Sequence, residues 1–157
     1  MMSPASAGWP SNGATNAVVS SNRPASYPGT GTISLVVPLA ISAASTWIGG
    51  VGVVICPGAP IAVGGYTVSG NVYFDGPTFP DFAVFEARTW SGTDSATDAQ
   101  HIIMSQIGTG TIPTKTWVPF TRTFQSAGMA DRFSLQVAPN APWSGTMYLD
   151  DIKLTGL

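Results

Sequence analysis

The sequence predicts an all-β protein, an antiparallel two-sheet β-sandwich of the jelly-roll type. Three observations carry that prediction. Short runs rich in β-branched and aromatic residues recur along the 157 residues, bounded by Gly, Pro, Asn, Asp or Ser. No segment between them has the apolar spacing of an amphipathic helix, and Ser95 to His101, which has helical leanings, is too short to matter. With 18 Gly and 13 Pro, the chain is also punctuated too often for long helices.

Residues 1–30 are rich in Ser, Pro, Asn, Gly and Ala and read as an N-terminal arm, with room for an edge strand at Val18-Val19. Trp9 is the exception there, as a plug for the sandwich end or a docking group. Residues 31–157 form the sandwich. Its strands are expected at Gly31 to Pro38, Thr46 to Ile55, Gly65 to Phe74, Phe82 to Trp90, His101 to Ile107, Trp117 to Phe124, Arg132 to Ala138 and Thr146 to Leu154.

Alternation assigns the faces, because successive side chains on a strand point to opposite sides. Tyr66, Val68, Val72 and Phe74 share one face and Thr67, Ser69, Asn71 and Tyr73 the other. Phe133, Leu135 and Val137 point inward, with Ser134 and Gln136 outward. Phe120 and Phe124 enter the core, so Arg122 between them must snorkel or pair. The closing segment Met147-Tyr148-Leu149-Asp150-Asp151-Ile152 is strand-like but carries two adjacent carboxylates, which need a cation or N–H donors if shielded from water.

Charged residues make up only 9% of the chain, against roughly 25% in ordinary soluble proteins. Its polar surface is therefore mostly Ser, Thr, Asn and Gln, as in secreted adhesive domains or proteins packed into assemblies. A net charge of −2 with scattered Lys and Arg argues against nucleic-acid binding. No apolar run approaches the roughly 20 residues of a membrane-spanning helix. The first residues lack a basic segment followed by an apolar one, so no signal peptide is visible. Cys56 has no partner for an internal disulfide and reads as a core thiol, and His101 has no neighbours at metal-ligand spacing.

Three motifs in order resemble a known family. They are Gly65-Tyr66-Thr67-Val68-Ser69-Gly70, Trp117-Val118-Pro119-Phe120-Thr121-Arg122-Thr123-Phe124 and Tyr148-Leu149-Asp150-Asp151-Ile152-Lys153-Leu154, preceded by Gly31-Thr32-Ile33-Ser34-Leu35. The chain is similar, over residues 16 to 155, to the galactose-binding-domain-like carbohydrate-binding modules of families four, nine and twenty-two. The resemblance implies a non-catalytic sandwich that holds sugar rings on a concave face by aromatic stacking and polar groups. It also implies one structural Ca²⁺ away from that face. Asp150 is then the candidate metal ligand, with backbone carbonyls of the N-terminal region completing the shell. No Asp or Glu precedes Asp75, so the early acidic ligand of the pattern is missing.

A sugar site needs aromatic faces flanked by amide, hydroxyl or carboxylate groups. If Phe85 and Ala87 point inward, Glu86, Arg88 and Trp90 point outward, and Asn71, Tyr73, Glu86, Arg88, Trp90 and Gln136 are expected to form one carbohydrate-binding patch. The competing assignment makes Glu86 and Arg88 a surface ion pair and Trp90 a core cap. Trp47 and Trp143, beside turns, are better read as closing the ends of the core than as ligand platforms. No nucleophile motif or His/Asp/Ser set is present, so an enzyme is not expected. The expected function is glycan binding by a module displayed on a virion surface, as in a phage decoration, fibre or tail protein. Its arm would contact capsid or tail proteins, and its location would be the virion surface or the extracellular space. The alternatives are a glycan-binding module from a secreted glycoside hydrolase and a purely structural capsid-decorating scaffold.

Overall fold

The computed structural model describes residues 3–4, 18–29, 31–42, 51–56, 59–79, 83–90, 100–106, 112–126 and 132–157. At 3–4, 18–19, 51–56, 88, 90, 100–106 and 132 it describes the backbone alone. Among the described residues ten strands are present: β1 (Ser3–Pro4), β2 (Val18–Ser20), β3 (Ser34–Ile41), β4 (Val51–Cys56), β5 (Gly64–Asp75), β6 (Ala83–Trp90), β7 (Gln100–Gln106), β8 (Trp117–Ser126), β9 (Arg132–Pro139) and β10 (Trp143–Gly156). They form two five-stranded sheets, sheet A in the order β1-β4-β9-β6-β7 and sheet B in the order β2-β3-β10-β5-β8. Every pairing is antiparallel. The lead-in supplies an edge strand to each sheet, β1 against β4 and β2 against β3. Trp9 and Trp47, and the side chains of Cys56 and His101, lie outside the described residues.

The inner faces follow the alternation of the sequence. Val68, Val72 and Phe74 of β5 join Val37 and Leu39 of β3, Met147 and Leu149 of β10 and Phe120 and Phe124 of β8. Sheet A meets them with Phe85 and Ala87 of β6 and Phe133, Leu135 and Val137 of β9. Each fully buried large side chain contributes about 1.5–3 kcal/mol. Rings lock the layers together edge to face: Phe74 on Phe85 at 5.8 Å and Phe85 on Phe120 at 5.3 Å. Trp143 closes one end of the core, stacked on Phe79 at 4.6 Å and donating its indole N–H to the Pro77 carbonyl at 3.0 Å.

Between Asp75 and Ala83 the chain passes from sheet B to sheet A, so β5 and β6 are consecutive in sequence but not paired. This crossing decides where the outward residues go.

A bulge interrupts β10 between Asp150 and Lys153, with Asp151 at φ 51°. Opposite it, Gly70 faces the core where a side chain would stand on any other residue. Ile152 fills that space: a Cβ on Gly70 would collide with Ile152 Cδ1 and come within 3.0 Å of Phe120 and 3.1 Å of the Asp150 carbonyl oxygen. Gly70→Ala is expected to lower stability by roughly 1–3 kcal/mol in urea unfolding, and Ile152→Val, which removes Cδ1, to recover part of the loss. An unchanged midpoint for Gly70→Ala would show that Ile152 does not depend on the glycine.

Candidate functional site

On sheet A, Glu86 of β6 lies directly opposite Gln136 of β9, and both face away from the core. The Gln136 amide donates a hydrogen bond to the Glu86 carboxylate. Each is 1% exposed, as is Ser134, the next outward residue on β9. Val84 and Ala138, on the same face, are buried too. The outer face of sheet A at this point is thus a shielded polar row, not a solvated surface. The Ser134 hydroxyl has no hydrogen-bond partner among the described residues, an uncommon state for a buried polar group. Arg88 and Trp90 continue β6 at two-residue steps, paired with Ser134 and Arg132, and nothing is described of their side chains.

Asn71 and Tyr73 do not join this row. They lie on the outer face of sheet B, on the other side of the sandwich from Glu86 and Gln136. The expected six-residue patch is therefore split in two. Alternation reports which side of a strand a residue takes, but not which sheet the strand belongs to, and the passage from β5 to β6 changes the sheet.

Around Tyr73 the rings form a cross-strand line. Tyr73 is opposite Trp117 of β8 and Tyr148 of β10. Ring centroids stand 5.5 Å apart for Tyr73–Trp117, 6.0 Å for Tyr73–Tyr148 and 4.8 Å for Tyr27–Trp117. All four are half-buried and meet edge-on or tilted, so they pack chiefly against each other.

Asp150 lies beside Asn71 on the same outer face, and its carboxylate is engaged by protein donors. Arg23 Nη1 stands 3.2 Å from Oδ2, Ser34 Oγ donates to the same oxygen at 2.6 Å, and the Asp151 N–H donates to Oδ1 at 2.8 Å. The Tyr27 hydroxyl donates to Asp151 Oδ2 at 2.5 Å.

No family model and no curated protein matches the sequence. Solved structures do match. One is the N-terminal endo-1,4-β-D-xylanase 10B of Clostridium thermocellum, with family 22 carbohydrate-binding and GH10 modules complexed with xylohexaose; the TM-score is 0.55 at 12% identity, covering 93% of this chain and 26% of that one. Another is the family 22 xylan-binding domain of Paenibacillus barcinonensis Xyn10C, with TM-score 0.56 at 16% identity over 92% of this chain and 85% of that one. A third is the enzymatically active domain of tailspike protein 4 of bacteriophage CBA120, with TM-score 0.50 at 11% identity over 92% of this chain and 19% of that one. The fold is that of the jelly-roll carbohydrate-binding modules. At these identities the likeness is one of fold.

Within this module-like fold, the residues that sequence reasoning missed are Ser134, Arg23, Tyr27 and Tyr148. Ser134 is passed over because an outward Ser reads as solvated. Arg23 and Tyr27 sit in a lead-in without periodicity, 127 and 124 residues from their carboxylate partners. The adjacent carboxylates on a strand were the signal that such partners had to exist.

Burial, then the hydrogen bond to Asp151 and the nearby Asp150 charge, raise the Tyr27 phenol far above its ordinary value of 10.0. Burial and the Asp75 charge also raise Tyr73 and Tyr148. A phenol whose folded pKa exceeds its unfolded one keeps its proton in the native state after the unfolded chain has lost it. Stability from these groups is therefore fully present below about pH 10 and falls as pH rises above it. Thermal melts from about pH 9 to about pH 11 are expected to fall steeply, and less steeply for Tyr27→Phe. Parallel curves for the two proteins would contradict the Tyr27 contribution.

Proposed function

We propose that the chain is a non-catalytic glycan-binding module whose ligand is read by the outer face of sheet A, centred on Glu86, Gln136 and Ser134. The observation that supports this most is the shielded Ser134 hydroxyl, without a partner among the described residues, next to a buried carboxylate–amide pair. A carboxylate, an amide and a hydroxyl in a row match the donors and acceptors of neighbouring sugar hydroxyls. A glycan reaches this row only where the cover over it gives way, and charge-assisted hydrogen bonds formed in so shielded a place are stronger than on an open surface. The fold likeness to a xylan-binding domain agrees with a polysaccharide ligand.

Glycoside hydrolysis needs two carboxyl groups about 5–9.5 Å apart across the bond. Among the described residues, Glu86 belongs to sheet A, while Asp75, Asp150 and Asp151 belong to sheet B. No second strand carboxylate among the described residues shares sheet A with Glu86, and those of Asp150 and Asp151 are tied to Arg23, Ser34 and Tyr27, which supports binding over catalysis.

The proposed setting is a particle surface, such as a phage tail, fibre or decoration protein. A tailspike that carries this fold over 19% of its chain and the low charge content of the present sequence support it. Retention by phage-susceptible cells, lost when surface polysaccharide is stripped, is the matching experiment.

Affinity gel electrophoresis against xylan and other polysaccharides tests the site. Glu86→Gln and Gln136→Ala are expected to weaken retention roughly 10- to 100-fold, at a modest starting affinity in the roughly micromolar to millimolar range. Ser134→Ala is the cleanest variant: its hydroxyl has no partner to lose among the described residues, so the melting temperature should hold or rise while retention falls. Tyr73→Ala, on sheet B, should bind as the parent does. Loss of retention in Tyr73→Ala alone would move the site to the other face.

A further inference from the structure

We infer that the Arg23 guanidinium does in this chain what a bound divalent cation does at the closing strand of the modules it resembles, fastening the lead-in to the sandwich without metal. The proposal is independent of what the module binds. Its grounds are the atoms around Asp150.

A calcium site gathers six to eight oxygens with their lone pairs aimed at one point, usually with more than one carboxylate. Here the oxygens of the right kind exist, but N–H and O–H groups occupy them. Arg23 Nη1 takes Asp150 Oδ2, and Nη2 donates to the Gly31 carbonyl. One guanidinium, itself in the lead-in, thus bridges a carboxylate on β10 and the Gly31 carbonyl at the start of the sandwich, the two ligand types expected of a metal at this place. Ser34 and Tyr27 hydroxyls and the Asp151 N–H consume further lone pairs of the two carboxylates. Among the described residues, no three His, Cys, Asp or Glu side chains converge to hold an ion. As folded, the cluster does not fit calcium.

The cation is also held from behind. Arg23 Cζ lies 4.2 Å from the centroid of the Tyr27 ring, and that ring rests edge-on against Trp117. Side-chain exposures of 18% for Arg23 and 11% for Asp150 place the pair well inside the surface, where screening by salt is reduced. The planar fork suits this role, since it reaches two oxygens of different chain segments in fixed geometry, as a lysine point charge would not. The sequence is in keeping with this: no Asp or Glu precedes Asp75, while the lead-in carries Arg23.

The experiment compares the full chain with Arg23→Ala and Arg23→Asp, in EDTA and in millimolar Ca²⁺, by thermal melting and by Tb³⁺ luminescence excited through Tyr27 and Trp117. The parent is expected to melt at one temperature in both buffers and to give no sensitised Tb³⁺ emission. Arg23→Ala should melt roughly 3–8 °C lower in EDTA. Arg23→Asp, which turns the cation into a third carboxylate beside Asp150 and Asp151, should gain a Ca²⁺-dependent rise in melting temperature and a Tb³⁺ signal that Ca²⁺ displaces. Should Arg23→Asp not fold, Arg23→Ser leaves the same oxygens open and is read in the same way. A parent protein destabilised by EDTA, an Arg23→Ala melt equal to the parent's, or an acidic or serine variant indifferent to Ca²⁺ and Tb³⁺ would each overturn the proposal.

Discussion

Strand β10 comes last among the ten strands, yet it lies at the centre of sheet B, hydrogen-bonded to β3 on one side and β5 on the other. The rest of that sheet depends on this insertion. Its inner residues Met147 and Leu149 complete the core, while Tyr148 and Asp150 appear on the outside between Tyr73, Asn71 and the lead-in. A central strand has no free edge, so its polar residues are surrounded by neighbours from both sides. That is why Asp150 finds its partners in residues so distant in sequence. The bulge after it turns Ile152 back to the core and Lys153 to the outside, preserving the inner face despite an extra residue.

The strands and their inner faces were legible in the sequence. The expected run from Gly65 to Phe74 lies within β5, and the alternation through Val68, Val72 and Phe74 marks the inner face. Trp143 closes the core as its turn context indicated. The grouping of outward residues was not legible. Tyr73 and Glu86 are close in sequence, and hairpin pairing would have made them neighbours, but in a jelly roll the chain changes sheets between them. Nor does sequence reveal that Ser134 and Gln136 are shielded, since polar residues alternating with Phe133 and Leu135 read as solvated. Burial on that face is a tertiary property that no local pattern encodes.

The two outer faces use polarity differently, although each holds a buried donor without a partner among the described residues, the Ser134 hydroxyl on sheet A and the Trp117 indole N–H on sheet B. On sheet B, two carboxylates are met by one guanidinium, two hydroxyls and a backbone N–H. On sheet A, a carboxylate is held by an amide beside a hydroxyl left without a described partner. Shielding a polar group without a partner disfavours the folded state by roughly 1–3 kcal/mol. Under the glycan-binding proposal that hydrogen-bonding capacity is kept in reserve and already oriented, which reduces the ordering a ligand must impose.

The central place of β10 also bears on how the protein can be made. Until residues 143–156 have left the ribosome, sheet B exists only as two unconnected pieces, β2 with β3 and β5 with β8, each exposing its apolar side. Assembly must then insert a strand between them and bring together segments more than a hundred residues apart, a slow class of topology. Nascent chains stalled before Trp143 would therefore present two open strand edges and an unfilled interior, the form most prone to pairing with another copy.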